Sequence, residues 1–270
     1  MPSRGRQIVE EIQDSRCDQP SIWWLGHSGF ALKYRNSIFY VDPYLSDSLA
    51  GRSPRLMEAP MRATDVTHAS LVLSTHAHAD HLDAGTVPGI LAASPRAKLV
   101  IPKSVAEHAH SIGIGYDRMV TTDSGLRVEY LDDRIYSVPS AHNELDWTPL
   151  GGYPYLGYLI RFGTCTIYHA GDCVPYPGLA DRLRPYNVTV ALLPISGRKA
   201  DGTLPGNFEI AEAAQLAADI EARWLAPMHY GMFASNTGDV GRFIDHLLGQ
   251  RPEQRFKVFE CGERWEVAED

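Results

Sequence analysis

The sequence predicts an α/β protein built as one domain over residues 1–270, with two sheets back to back and helices on their outer faces. Three observations lead there. Apolar, β-favouring runs in the first half come paired across short turns, as hairpins do. In the second half such runs alternate with segments whose apolar residues recur at helical spacing. Four times, an apolar run ends in a loop that opens on His or Asp, as buried strands do when they deliver functional groups at their carboxyl ends.

Residues 1–20 form a peripheral, charged segment, frayed or helical. Residues 21–25 read as a strand ending at Gly26-His27-Ser28-Gly29. Residues 30–34 and 37–41 follow as a hairpin about Arg35-Asn36, and Asp42-Pro43-Tyr44 breaks the pattern. Residues 51–63, rich in Pro, Arg and Met without a period, read as a surface loop. Leu71-Val72-Leu73 and Leu99-Val100-Ile101 are short strands, and Ser104 opens a helix to about Ile112 that Gly113 stops.

Residues 127–131 and 134–138 are antiparallel strands joined at Asp132-Asp133, and 155–161 with 164–169 form a hairpin about Gly163. Residues 188–193 are an apolar strand ending at Pro194. Asn207 can cap a helix carrying Ile210, Ala213, Ala214, Ala217 and Ile220 at helical spacing. Residues 224–226 form a strand, and Asp239 caps a last helix with Val240, Phe243, Ile244, Leu247 and Leu248 on one face and Gly249 as its stop. Residues 257–259 and 265–267 are expected as a closing strand pair.

The formal net charge of −8 leaves no basic stripe for nucleic acid, yet it does not exclude an anionic substrate beside bound dications. No run approaches the ~20 apolar residues of a membrane span, and residues 1–18 lack the apolar core of a secretory signal. Cys17, Cys165, Cys173 and Cys261 are scattered without C-x-x-C spacing, which points to reduced thiols and a cytoplasmic protein. Cys173 reads as a small buried residue.

The densest chemistry follows Leu71-Val72-Leu73. His76-Ala77-His78-Ala79-Asp80-His81 places four potential metal ligands within six residues. His76 and His78, two apart on an extended segment, can grip one ion, and the turn beyond them lets Asp80 and His81 reach a second. His142, Asp172 and His229 open loops after the later strands. If those strand ends converge, His76, His78 and His142 hold one ion, Asp80, His81 and His229 the other, and Asp172 bridges them. An open position on each ion then admits a shared water. Such a pair generates a hydroxide nucleophile and polarises the oxygen under attack, so hydrolysis at a carbonyl or phosphoryl centre follows. The ligand types suit zinc, and also admit manganese or iron.

His76-x-His78-x-Asp80-His81 with His142, Asp172 and His229 resembles the metallo-β-lactamase superfamily. The closer resemblance is to its branch of L-ascorbate-6-phosphate lactonases and related metal-dependent hydrolases. The supporting stretches are Trp24-Leu25-Gly26-His27-Ser28-Gly29-Phe30, Asp42-Pro43-Tyr44-Leu45, Leu156-Gly157-Tyr158, Ile167-Tyr168-His169-Ala170-Gly171-Asp172, Leu192-Leu193-Pro194-Ile195-Ser196-Gly197-Arg198, Gly206-Asn207 and Pro227-Met228-His229-Tyr230-Gly231-Met232-Phe233. The resemblance implies a four-layer αββα sandwich with the metals at one edge of the sheets. It also implies a homo-oligomer, and it raises manganese beside zinc. His27 departs from the Gln of the ascorbate enzymes and is more typical of the other relatives.

Further residues carry more than one reading. Asp42 can orient a ligand His or simply form a turn. His27 can contact substrate, shuttle a proton, or be a structural His held by backbone. Arg198 and Lys199 can hold an anionic substrate group or form a solvated pair. Asn207 can meet an anion as well as cap its helix. Tyr230 can donate to an oxyanion or pack. His169 reads as a core or supporting residue. The function expected is a cytoplasmic metal-dependent hydrolase with Asp80 and Asp172 as its catalytic carboxylates. Its expected substrate is a small anionic sugar-acid lactone. The alternatives are a phosphodiesterase on small or lipid-derived diesters, and a non-catalytic metal-binding protein.

Overall fold

In the computed structural model, which describes residues 2–198 and 206–268, the chain divides into two units, each with its own seven-stranded mixed sheet. The first takes in the chain up to Thr122 and again from Phe259, and the second is Asp123–Val258.

The first unit starts with α1 (Arg6–Asp14), which buries Ile8, Val9 and Ile12. Lys33 closes its far end, with Nζ donating to Ile12 O at 2.7 Å and Gln13 O at 2.5 Å, so a cation meets the negative end of the helix dipole. Burial lowers the pKa of that ammonium. The meander of β1 (Ser21–Gly26), β2 (Gly29–Tyr34) and β3 (Ser37–Val41) matches the expected hairpins, with Arg35 at φ 50° in the turn. Then β4 (Leu71–Leu73), α2 (Val87–Ala93), β5 (Lys98–Pro102), α3 (Ala106–Ser111) and β6 (Met119–Thr122) follow. The pairings β3–β4, β4–β5 and β5–β6 are parallel, which is why each needs a crossover rather than a tight turn.

The patterns above did not include α2 or β6. At 7 residues, α2 is too short to show a helical period. Its signals are Pro88 in the first turn and a C-terminus clamped from a distance, since Arg118 Nη2 donates to Leu91 O, Ser94 O and Ala97 O.

The second unit opens on the antiparallel run β7 (Arg127–Tyr130), β8 (Asp133–Pro139), β9 (Leu156–Phe162) and β10 (Cys165–His169). It continues with α4 (Leu179–Leu183), β11 (Val190–Pro194), α5 (Ile210–Asp219), β12 (Trp224–Met228), α6 (Val240–Gln250) and β13 (Arg255–Phe256), with the strands now parallel. Finally β14 (Arg264–Glu266) rejoins the first unit, antiparallel to β1.

Three expectations are corrected here. The last two strands are not partners: β13 extends β12 in the second sheet, while β14 edges β1 in the first. Helix α5 is capped by Glu209, in a reciprocal box with Glu212, and not by Asn207. In α6 the Asp239 cap is present, with Oδ1 accepting from Arg242 N at 3.0 Å, but the helix runs through Gly249. Its buried stripe narrows to Phe243 and Leu247, leaving Leu248 61% exposed.

Strands β1, β3, β10 and β11 are buried along their whole length. Each large aliphatic side chain fully buried there stabilises the fold by about 1.5–3 kcal/mol. The four cysteines are free and buried. Burial pushes the Cys173 thiol up to about 12 and that of Cys165 up to about 11, so both are held as inert thiols. Among the described residues, no helix is long and apolar enough to cross a membrane.

Candidate metal centre

In the first unit the donors are set from behind. Strand β3 ends at Val41, and Asp42 follows with φ 44°, a left-handed conformation that non-glycine residues seldom adopt. From there Asp42 Oδ1 accepts from Thr75 N at 2.8 Å, and Oδ2 accepts from Thr75 Oγ1 at 2.7 Å and from His81 Nδ1 at 2.7 Å. Because the Thr75 hydroxyl donates to Asp42, its oxygen can accept from His76 Nδ1, 3.0 Å away. Both imidazoles thereby carry their proton on Nδ1 and keep a lone pair on Nε2. A metal-binding histidine needs that tautomer. His76 and His81 are buried, their ring centroids 4.1 Å apart, and His78 lies 4.6 Å from His76.

The segment carrying them is not the extended run expected for His76 and His78. Strand β4 stops at Leu73, and the loop turns immediately, with His81 N and Leu82 N both donating to His78 O at 2.9 and 2.8 Å. The turn, rather than strand alternation, gathers the rings. Asp80 sits at the mouth of the loop, its side chain 19% exposed, and its Oδ2 lies 3.7 Å from His81 Nε2 and 3.0 Å from His27 Nε2.

In the second unit three strand ends converge. Ser140, after β8, donates to Ala170 O at 2.6 Å, and Val174 N donates to Ala141 O at 2.7 Å, so the loops carrying His142 and Asp172 are stitched together. His142 Nδ1 lies 3.3 Å from Gly206 O, leaving Nε2 to face Asp172 Oδ2 at 3.7 Å. The other oxygen, Oδ1, faces His229 Nε2 at 3.3 Å. His229 follows β12 at φ 66°. Each oxygen of one carboxylate therefore meets a different imidazole. Residues in sparsely populated backbone regions cluster at functional sites, and Asp42 and His229 fit that habit.

Asp42 orients His81, and that reading displaces the turn-only one. Asn207 is fully buried and supports Asp172: its Oδ1 accepts from Cys173 N at 3.0 Å and its Nδ2 donates to Ser196 Oγ at 3.1 Å. Arg198 is exposed and pairs with Glu212, which raises its pKa, while its backbone N donates to Glu209 Oε1 at 3.0 Å. Lys199 lies outside the described residues. Tyr230 is buried beside His229. His169 supports its own loop, Nδ1 accepting from Gly171 N at 3.1 Å. Two residues that the sequence patterns do not single out are Thr75, the relay between Asp42 and His76, and Glu212, which holds Arg198. A threonine directly before the first His was the available signal for the relay.

Chemically the donor set fits divalent cations: buried imidazoles fixed in the metal-binding tautomer, and carboxylates close to their Nε2 atoms. One donor atom each from His76 and His78, and from His142 and Asp172, lies within 4.8 Å of its partner.

Residues 38–230 match the beta-lactamase superfamily domain. The chain is 30% identical over 237 residues to a UPF0173 metal-dependent hydrolase of Pyrococcus horikoshii, covering 86% of this chain and 93% of that one. It is 30% identical over 249 residues to another from Thermococcus kodakarensis, covering 91% and 99%. A solved metallo hydrolase from the hyperthermophilic archaeon Ignicoccus hospitalis superposes with a TM-score of 0.74 at 22% identity, over 93% of this chain and all of that one, which shows the fold. The chain thus has the metallo-β-lactamase fold, two mixed sheets with helices. It belongs to the beta-lactamase superfamily, within the UPF0173 metal-dependent hydrolases.

Proposed function

We propose that this protein is a metal-dependent hydrolase acting on a sugar-acid lactone that carries an anionic group. The observation that carries the reading is Asp172, whose two oxygens face two different imidazoles, as a carboxylate shared between two ions must. His76, His78, Asp80 and His81 of the first unit, and His142, Asp172 and His229 of the second, are the residues that would hold divalent ions. Zinc or manganese suits this set, and iron is admitted. Bound there, the ions would supply Lewis-acid polarisation and a water acidified toward neutrality.

The chain's own residues do the rest. Asp42 and Thr75 hold the rings of His81 and His76 so that no rotamer search precedes binding. Asn207 holds the backbone beside Asp172. Asp80, at the mouth of its loop, takes the proton of the attacking water and returns it to the leaving alkoxide of the opened lactone. The lactone reading draws on the resemblance of the Gly197-Arg198, Gly206-Asn207 and Met228-His229-Tyr230 segments to the lactonases. Arg198, already paired with Glu212, would have to exchange that partner to hold a substrate anion.

The test is a kinetic panel on zinc- and manganese-loaded protein, sugar-acid lactones against bis-(p-nitrophenyl) phosphate. Lactone turnover well above diester turnover is expected. The reverse order would replace the lactonase reading with a phosphodiesterase, and no turnover of either would end the proposal.

A further inference from the structure

We infer that His27 is a metal ligand, the donor with which the first unit completes its hold on the ion of Asp80 and His81. The inference rests on the metal-centre reading above and adds a residue to it. His27 Nε2 stands 3.0 Å from Asp80 Oδ2, and one donor atom each from His27, Asp80 and His81 lies within 4.8 Å of the others. Donors that share one ion through bonds of about 2.0–2.2 Å stand roughly 2.8–3.6 Å apart. A separation of 3.0 Å is therefore what two ligands of one ion show, as well as what a hydrogen bond shows. The geometry around His27 and the plan of the sheet favour the shared ion.

His27 is completely buried, its ring set edge-on to that of His81 at 5.9 Å between centroids. Its backbone is at φ 55°, which costs a non-glycine residue about 1–2 kcal/mol. The turn is built to hold that conformation: Trp24 Nε1 donates to His27 O at 3.0 Å. Gly29 closes the turn so tightly that a Cβ there would stand 3.1 Å from Gly26 O and 3.2 Å from Asp42 O. A solvated substrate contact would need none of this.

Topology supplies the second, independent line. His27 follows β1, the first strand of the meander in its sheet, and His142 follows β8, the first strand of the corresponding meander in the other. His142 Nε2 faces Asp172, and His27 Nε2 faces Asp80. Each unit thus sends a histidine from the same strand end to a carboxylate of the donor set.

The experiment titrates metal-stripped protein with cobalt(II) alone and compares wild type with His27→Gln and His27→Cys, folding being checked by circular dichroism. The number of coordinated imidazoles is read by X-ray absorption. Removing a residue that merely orients a ligand already costs about 10–100-fold in metal affinity, so affinity cannot separate the two roles. The expected result is that His27→Gln loses one imidazole from the cobalt shell. His27→Cys should gain a thiolate-to-cobalt absorption band in the near ultraviolet that wild type lacks. Two folded variants with an unchanged imidazole count and no new band would overturn the inference and leave the metal centre standing. Wild-type protein that takes up no cobalt would overturn the metal centre itself and His27's place in it.

Discussion

Taken strand by strand from β14 in one and from β7 in the other, the two sheets follow one plan. Each has an antiparallel edge strand (β14 or β7), a three-stranded meander (β1–β3 or β8–β10), and then three parallel strands (β4–β6 or β11–β13). Corresponding strand ends carry corresponding residues: His27 and His142 after the first meander strand, Asp42 and Asp172 after the third. The two aspartates nevertheless do opposite things. Asp42 bonds the back of an imidazole, His81 Nδ1, while Asp172 faces the front of two, His142 Nε2 and His229 Nε2. The next strand differs as well. After β4 the first unit crowds four donors into one loop, whereas the loop after β11 supplies Ser196 and Asn207 to brace Asp172, and the donor arrives one strand later as His229. Position in the plan decides which atoms converge. Which side of the ring they meet decides the role.

The largest effect should separate the two aspartates. Asp172→Ala is expected to lose bound metal and to lower kcat/KM by more than about 100-fold, the upper range for a partner that only orients a ligand. Asp42→Asn keeps the shape, and should weaken metal binding by about 10–100-fold while leaving the full metal complement reachable at higher concentration. Metal titration by atomic emission, with kinetics on the same samples, checks both. Equal losses for the two variants would erase the distinction.

A second contrast lies in acid sensitivity, placed in the first unit. His68 Nε2 is 2.8 Å from Tyr40 OH, and burial pushes its pKa down from 6.5 to about 4, with the Lys33 charge adding to the shift. Between those values the unfolded chain holds a proton that the folded chain does not, so stability rises with pH there. The contribution, about 3 kcal/mol, is complete above pH 6.5 and is lost as pH falls to about 4. Chemical denaturation across that range should show His68→Gln with a flatter acid limb. Hydrogen exchange should show protection lost first near β3 and β4.

The smallest effect compares two glycines on the second meander strands. A Cβ on Gly157 would come within 2.9 Å of Tyr168 Cε2 and 3.0 Å of His169 O, whereas on Gly29 the nearest contacts are 3.1 and 3.2 Å. Overpacking of this kind costs about 1–3 kcal/mol, and Gly157→Ala should stand at the upper end with Gly29→Ala below it. Thermal melts at neutral pH rank the pair, and the opposite ranking would break the correspondence.

Much of this plan was legible because its causes are local. The hairpins about Arg35-Asn36 and Gly163 follow from turn residues between apolar runs, and the Asp239 cap from a side chain reaching its own helix. The donors of His76 to His81 were legible because they are dense, although a turn gathers them rather than an extended segment. What was misread depends on partners far along the chain. The pairing of β14 with β1 spans almost the whole sequence, and nothing near Arg264 announces it. Asn207 looked like a cap because it precedes a helix, yet its amide is taken by Cys173 and Ser196, and Glu209 does the capping.

By itself, then, the sequence determined the kinds of element and a set of candidate donors: alternating apolar runs, turn chemistry, five histidines and two aspartates in loops after strands. Local steric preference and side-chain chemistry suffice for those. Only the tertiary structure decided that Asp42 and Thr75 set the tautomers of His81 and His76, that one oxygen of Asp172 goes to each of two imidazoles, and that His27 lies against Asp80. Apart from the Thr75–His76 bond between neighbours, each of these joins residues remote in sequence. Hydrogen-bond direction is set by where the strand ends come to lie, and that is a property of the assembled sheet.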